Sequence, residues 1–171
     1  AGKMQVSTGQ SSCDSCQPGH YSSEMATTCL SCPSGQYQSE TEGTTCVECA
    51  SGHFQPNEGS SSCTECSPGQ YQPTTNATSC DDCPPGQFQN ETGKTTCPAC
   101  PHGTFSSQLK ATACFAFGDC KPGEGITTAG TPTSNRKCTA CDGTDHYSDS
   151  INANCEAVHA KCDGGHAHTP P

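Results

Sequence analysis

The sequence predicts a small disulfide-rich fold: an elongated tandem array of short β-hairpin and loop modules, with little regular secondary structure and no conventional hydrophobic core. Three observations predict it. Of 171 residues 18 are Cys, only 12 are Ile, Leu, Val or Phe, and none is Trp. The cysteines recur as nine pairs at nearly constant intervals, and a Gly and an aromatic recur at fixed offsets between them.

The missing core follows from magnitudes. Apolar burial contributes ~25 cal/mol per Å², whereas ordering the backbone costs roughly 1–2 kcal/mol per residue. Twelve large aliphatic and Phe side chains cannot offset that cost, so covalent crosslinks must stand in for the core. Gly and Pro together supply 31 residues and disfavour long helices. The formal charge is -10, and only Lys94 and Lys110 are cationic between Cys13 and Cys114. Phosphate backbones would be repelled, which argues against nucleic-acid binding. The most apolar run, Phe115-Ala116-Phe117, is far short of the ~20 residues that cross a bilayer. No charged segment followed by an apolar one stands at the N-terminus, so a secretion signal is expected to have been removed already.

The pairs are Cys13/Cys16, Cys29/Cys32, Cys46/Cys49, Cys63/Cys66, Cys80/Cys83, Cys97/Cys100, Cys114/Cys120, Cys138/Cys141 and Cys155/Cys162, seven of them spaced C-x-x-C. Steps between first cysteines are 16, then 17 five times, then 24, then 17. Three residues after the second Cys comes Gly19, Gly35, Gly52, Gly69, Gly86 or Gly103, and two residues later Tyr21, Tyr37, Phe54, Tyr71, Phe88 or Phe105. Pro-Gly at Pro18-Gly19, Pro68-Gly69 and Pro85-Gly86 predicts a turn, since Pro presets one φ and Gly accepts a positive one. The aromatic starts one extended stretch, and the Thr-Thr or Ser-Ser before the next Cys is predicted to supply the second. Units stacked in this way are expected to touch only their neighbours.

The pattern divides the chain into the end of a truncated module (1–13), six regular repeats (14–113), an irregular module with a longer loop (114–141), a degenerate repeat (142–162) and a truncated module or tail (163–171). The irregularity is the insert Phe115-Ala116-Phe117-Gly118-Asp119, where a bend or contact surface competes with a tolerated loop insertion.

Two chemistries compete for the C-x-x-C pairs. Zinc ribbons use similar spacing. However, several thiolate-rich sites would need compensating cations that this chain lacks, and the even Cys count with two N-glycosylation sequons, at Asn76 and Asn90, favours disulfides. A redox C-x-x-C normally sits beside a βαβ pattern, absent here. Two pairings remain open. One is sequential: Cys16–Cys29, Cys32–Cys46, Cys49–Cys63, Cys66–Cys80, Cys83–Cys97, Cys100–Cys114, Cys120–Cys138 and Cys141–Cys155. The other joins pairs two by two, such as Cys13–Cys29 with Cys16–Cys32, and forces a 34-residue period that the sequence does not show. The sequential register is preferred, and it leaves Cys13 and Cys162 for bonds to another subunit or a further module.

The stretch Cys66-Ser67-Pro68-Gly69-Gln70-Tyr71 through Cys80-Asp81-Asp82-Cys83-Pro84-Pro85-Gly86-Gln87-Phe88 resembles the ephrin-receptor-like cysteine-rich repeat, and its elements look like the first sub-module of tumour-necrosis-factor-receptor cysteine-rich domains. Gly123 to Cys141 is similar to a later part of such domains. The resemblance implies extracellular disulfide modules, and its bridge spanning the Gly-aromatic loop agrees with the sequential register. It carries no ligand site.

Other candidates weigh less. His159, His166 and His168 around Cys162 read as solvated tail residues before metal ligands. His20 and His53 reflect the repeat, and Asp142, Asp145 and Asp149 lack calcium-loop spacing. No metal or cofactor is expected, and so small a core could hardly preorganise a catalytic site. Thr131 and Thr169, beside Pro, are candidate O-glycan acceptors. The expectation is a secreted or cell-surface glycoprotein, a non-enzymatic rod assembling head to tail with copies of itself into a filament, appendage or coat. The alternative is a ligand-binding ectodomain segment of a cell-surface receptor.

Overall fold

The computed structural model describes residues 1–5, 13–24 and 26–141, together with the backbone of the strands His146–Tyr147 and Glu156–Ala157. Seven disulfides follow one another along the described chain: Cys16–Cys29, Cys32–Cys46, Cys49–Cys63, Cys66–Cys80, Cys83–Cys97, Cys100–Cys114 and Cys120–Cys138. Cys141 is also disulfide-bonded, and its expected partner Cys155 lies outside the described residues. Closing a loop of about 15 residues contributes ~3 kcal/mol by restricting the unfolded chain. Each module therefore carries its own staple.

Six of the seven bridges close a two-stranded antiparallel hairpin, and Cys83–Cys97 closes the single antiparallel bridge of Gln87 with Ala99. Gln17-Pro18-Gly19-His20 starts one, with His20 N–H donating to the Gln17 carbonyl at 3.1 Å and Gly19 at φ 86°. A turn of this kind needs a left-handed third residue, which only Gly adopts freely. The strand His20–Tyr21 then pairs with Leu30–Ser31, and the Cys32 N–H bonds the Gly19 carbonyl at 2.9 Å. The same arrangement recurs in Gln36–Tyr37 with Val47–Glu48, His53–Phe54 with Thr64–Glu65, and Gln70–Tyr71 with Asp81–Asp82.

One expectation is corrected here. The second strand is not the Ser/Thr run before each Cys but the two residues between the paired cysteines. The cause is the Cys N–H to Gly carbonyl bond, which draws the C-x-x-C segment itself into the ladder. The Ser/Thr run instead closes a loop around a glutamine. Gln72 donates from Nε2 to the Ser79 carbonyl at 2.8 Å and accepts at Oε1 from the Thr74 N–H at 3.0 Å. Gln38, Gln55 and Gln89 make the same two bonds in their own loops.

The core is a column of sulfur and amides. Cys16, Cys32, Cys49, Cys66 and Cys83 are fully buried, and Gln55, Gln72 and Gln89 are nearly so. The aromatics, by contrast, are half-buried.

Modules stack by backbone contact. Gly52 N–H donates to the Gln72 carbonyl of the next loop at 2.8 Å, and Gln55 N–H to the Ala77 carbonyl at 3.0 Å. Contacts also reach one step beyond the nearest neighbour, contrary to the expectation from repeat stacking. A methyl group added at Gly52 would run into the carbonyl of Gly93, two disulfide loops away. Gly2, Gly19, Gly35 and Gly69 meet Glu42, Gly59, Asn76 and Lys110 in the same way. The covering residues, 42, 59, 76, 93 and 110, all have φ between 59° and 68°. Only a Gly beneath lets two backbones approach this closely.

Two outcomes follow from this stacking. Gly52→Ala adds a backbone clash to left-handed strain and should destabilise far more than Gly59→Ala, whose methyl meets nothing nearer than 3.6 Å; the latter costs only the ~1–2 kcal/mol of a left-handed L-residue. Thermal melts with the disulfides intact check the order. Gln72→Leu keeps the side chain's bulk but leaves the Thr74 amide and Ser79 carbonyl without partners, and should cost about 1–3 kcal/mol. Faster hydrogen exchange at Thr74 alone among the loop amides is the accompanying signature.

Candidate binding surface

Alternation along each hairpin sorts its side chains onto two faces. On one face the repeated aromatic opposes the residue that follows the first Cys: Tyr21 with Leu30, Tyr37 with Val47, Phe54 with Thr64, Tyr71 with Asp81, and Phe105 with Phe115. Phe88 joins this row through its N–H bond to the Pro98 carbonyl at 3.0 Å. The opposite face pairs Gln36 with Glu48, His53 with Glu65 and Gln70 with Asp82.

The acidic face is occupied with holding the stack together. Thr75 donates to Glu48 at 3.1 Å, Thr92 to Glu65 at 2.7 Å, and Gln70 to Asp82 at 2.8 Å. His53 Nε2 lies 3.8 Å from Glu65, and Lys110 Nζ 4.0 Å from Asp82. At the N-terminal end the Ser15 hydroxyl and the Lys3 ammonium hold the exposed Glu42 carboxyl below its ordinary pKa. Each contact of the threonines and of Ser15 spans 27 residues, so these groups join successive modules.

The aromatic face has no such commitments. Its outer row presents Leu30 (53% exposed) and Val47 (49%) in adjacent hairpins, and Phe115 (67%) farther along. Solvated apolar side chains at repeated positions on one face can be covered by a partner at no loss of internal contacts.

The irregular insert has a definite geometry. Phe117 stands where the repeat calls for the second Cys, and its N–H bonds the Gly103 carbonyl at 3.0 Å as a half-cystine would. Its ring stacks on Phe105 at 6.1 Å between centroids, and the Arg136 guanidinium lies over it at 5.3 Å. Asn135 Oδ1 accepts from the Gly118 N–H at 2.9 Å. The longer Cys120–Cys138 loop folds back through the Thr131-Pro132-Thr133-Ser134 turn, whose Pro132 carbonyl accepts from Ser106 N–H at 2.9 Å. An aromatic and cation–π cluster has replaced the sulfur at this junction.

The remaining sequence candidates fall as follows. Cys13 is an exposed free thiol. Asn76, Asn90 and Thr131 are exposed. The Asn76 backbone is tied to the Cys49 carbonyl at 2.9 Å, and Thr131 shares hydroxyl contacts with Thr133 and Ser134. The His20 and His53 rings lie beside the Pro18 and Ser51 carbonyls. Cys155, Cys162, Thr169, His159, His166, His168, Asp142, Asp145 and Asp149 lie outside the described residues. Among the described residues no group of three or more His, Cys, Asp or Glu is placed to hold a metal, and no helix is long and apolar enough to cross a membrane. Residue-by-residue reading missed the glutamine clamps and the role of Phe117. The signal was present, because Gln38, Gln55, Gln72 and Gln89 each follow the repeated aromatic directly.

Comparison with known proteins locates this architecture. No protein with a curated description matches the chain. Among solved structures, a chain of the human RANKL/OPG complex is similar over 86% of this chain and 87% of its own, at 23% identity and a TM-score of 0.32. Residues 37–83 and 75–114 match the family model described as tyrosine-protein kinase ephrin type A/B receptor-like, and residues 100–138 match the TNFR/NGFR cysteine-rich region. Together the two matches run without a gap from residue 37 to residue 138, the ephrin-receptor-like one passing into the TNFR/NGFR one.

Proposed function

We propose that this chain is part of the extracellular, ligand-binding portion of a receptor-type protein, and that it holds a protein ligand along the aromatic face of its hairpins. The observation that carries the reading is the unbroken run of receptor-type matches over residues 37–138. These matches favour the receptor expectation over the head-to-tail filament, which draws no support from them. Tandem disulfides persist in oxidising compartments, which supports a location outside the cell. No catalytic role is proposed.

The surface supports the same reading in detail. The acidic face is tied up between modules, whereas Leu30, Val47 and Phe115 stand open on the other. With a formal charge of -10, the chain steers toward a partner with a basic surface. Apolar contacts would then supply the short-range affinity, and charge would supply the encounter rate. Asn76 and Asn90, both exposed, are proposed N-glycan acceptors.

The oxidised chain, immobilised and screened against a panel of purified secreted and cell-surface proteins, tests this. A saturable partner is expected whose affinity falls at least tenfold with Leu30→Asp or Val47→Asp, at unchanged melting temperature. Its association rate should also drop as salt is raised. A partner indifferent to both variants would overturn the reading, as would sedimentation of the purified chain alone as a long polymer at micromolar concentration.

A further inference from the structure

Four loops of the array share an internal carboxamide, and one loop lacks it. In the Cys32–Cys46, Cys49–Cys63, Cys66–Cys80 and Cys83–Cys97 loops a Gln accepts from the N–H two residues on, at 3.0–3.1 Å, and donates to the carbonyl seven residues on, at 2.6–2.9 Å. The Cys100–Cys114 loop has the same length, its bonded cysteines 14 positions apart like those of the other four. Ser106 occupies the glutamine position, and its hydroxyl reaches only the Gln108 carbonyl, at 3.4 Å. The Gln108 N–H and the Ala113 carbonyl, which Gln would have bridged, make no hydrogen bond among the described residues.

Where the glutamine would lie there is a cleft of about 310 Å³, whose lining includes Phe105, Ser106, Gln108, Lys110, Ala113 and Phe115. Its lining includes one of the most exposed large hydrophobic side chains of the described residues, Phe115 at 67%. The cleft thus combines one unbonded backbone donor, one unbonded backbone acceptor and a lining that is part apolar and part polar. The Cys16–Cys29 loop also has a Ser, Ser22, in place of Gln. There the loop is one residue shorter and the hydroxyl donates to the Lys3 carbonyl at 3.2 Å.

We propose that this cleft is a recognition slot for a carboxamide, and that a Gln or Asn side chain of the protein ligand inserts there and completes the two bonds made internally in the four sibling loops. The inference rests on the ligand-binding reading above. A carboxamide offers both an acceptor for Gln108 N–H and a donor for the Ala113 carbonyl, whereas a carboxylate has no donor and an alkyl group has neither. Mismatched side chains leave buried polar groups without partners once the partner covers Phe105 and Phe115, and that penalty is the source of selectivity.

The test uses the full oxidised chain labelled with ¹⁵N and titrated with N-acetylglutamine methylamide, with the corresponding glutamate and norleucine compounds as comparisons. Saturable shifts centred on the Gln108 amide are expected for the glutamine compound alone. Ser106→Gln should abolish them and slow hydrogen exchange at Gln108, and Ser106→Ala should preserve them. With a protein ligand from the panel, Ser106→Gln should weaken binding at least tenfold and Ser106→Ala should leave it near the parent value. The slot is overturned by absent shifts at Gln108, by an equal response to the norleucine compound, or by a protein ligand that binds the Ser106→Gln variant unchanged. If the panel yields no ligand at all, the receptor reading fails on its own, and the slot stands or falls by the amide titration.

Discussion

Seven disulfides, each holding its Cα atoms 5.5–5.7 Å apart, set every other feature of the described chain. Because the second half-cystine of most pairs is fully buried and its N–H closes the hairpin on the preceding Gly, the crosslink also fixes strand register. Packing is then carried out by backbone and sulfur, not by apolar side chains. Such a stack needs close approach, and close approach needs Gly beneath and a left-handed residue above, as Gly52 and Gly93 provide. Glu42 and Lys110 adopt that left-handed conformation without being Gly, at a local cost of ~1–2 kcal/mol that the bridges can absorb.

How much of this was legible depends on whether the signal was periodic or contextual. The cysteine period and the Pro-Gly turns could be read because they recur with one residue type and one mechanism. The glutamines recurred just as strictly, but Gln is ordinarily a surface residue, and its clamp depends on a carbonyl seven residues away that no local pattern marks. The covering positions were hidden differently: Glu42, Gly59, Asn76, Gly93 and Lys110 share a conformation and not an identity. Placing the second strand before the Cys failed because β-propensity was weighed without the hydrogen bond that selects the residues between the cysteines. The face proposed for binding was not legible at all, since Leu30, Val47 and Phe115 read as isolated apolar residues until the hairpin register lines them up.

A strict repeat also makes its exceptions meaningful. Phe117 stands at the half-cystine position and keeps the backbone bond to Gly103, so the fold continues while the crosslink itself moves three residues on, to Cys120–Cys138, and ring stacking and a guanidinium occupy its usual place. Ser106 replaces the clamp glutamine in the same module, and Ala113 stands where a Ser or Thr precedes the Cys in its siblings. Ser106 and Ala113 fall within the overlap of the two family matches, residues 100–114, and Phe117 lies three residues past it. Local stability given up in one module is tolerable in a stack whose neighbours are separately stapled.

The charge distribution explains why the proposed recognition would fall to the apolar face even though the chain is strongly acidic. Carboxylates on the opposite face already accept hydroxyl or amide donors from within the array, and a ligand that took the hydroxyls away would loosen the stack that presents it. Acid on that face therefore contributes at long range, where field and not contact matters. Contact selectivity must come from groups that the fold does not use. In this chain those are the outer apolar side chains of the hairpins and the backbone donor and acceptor that Ser106 leaves unbridged.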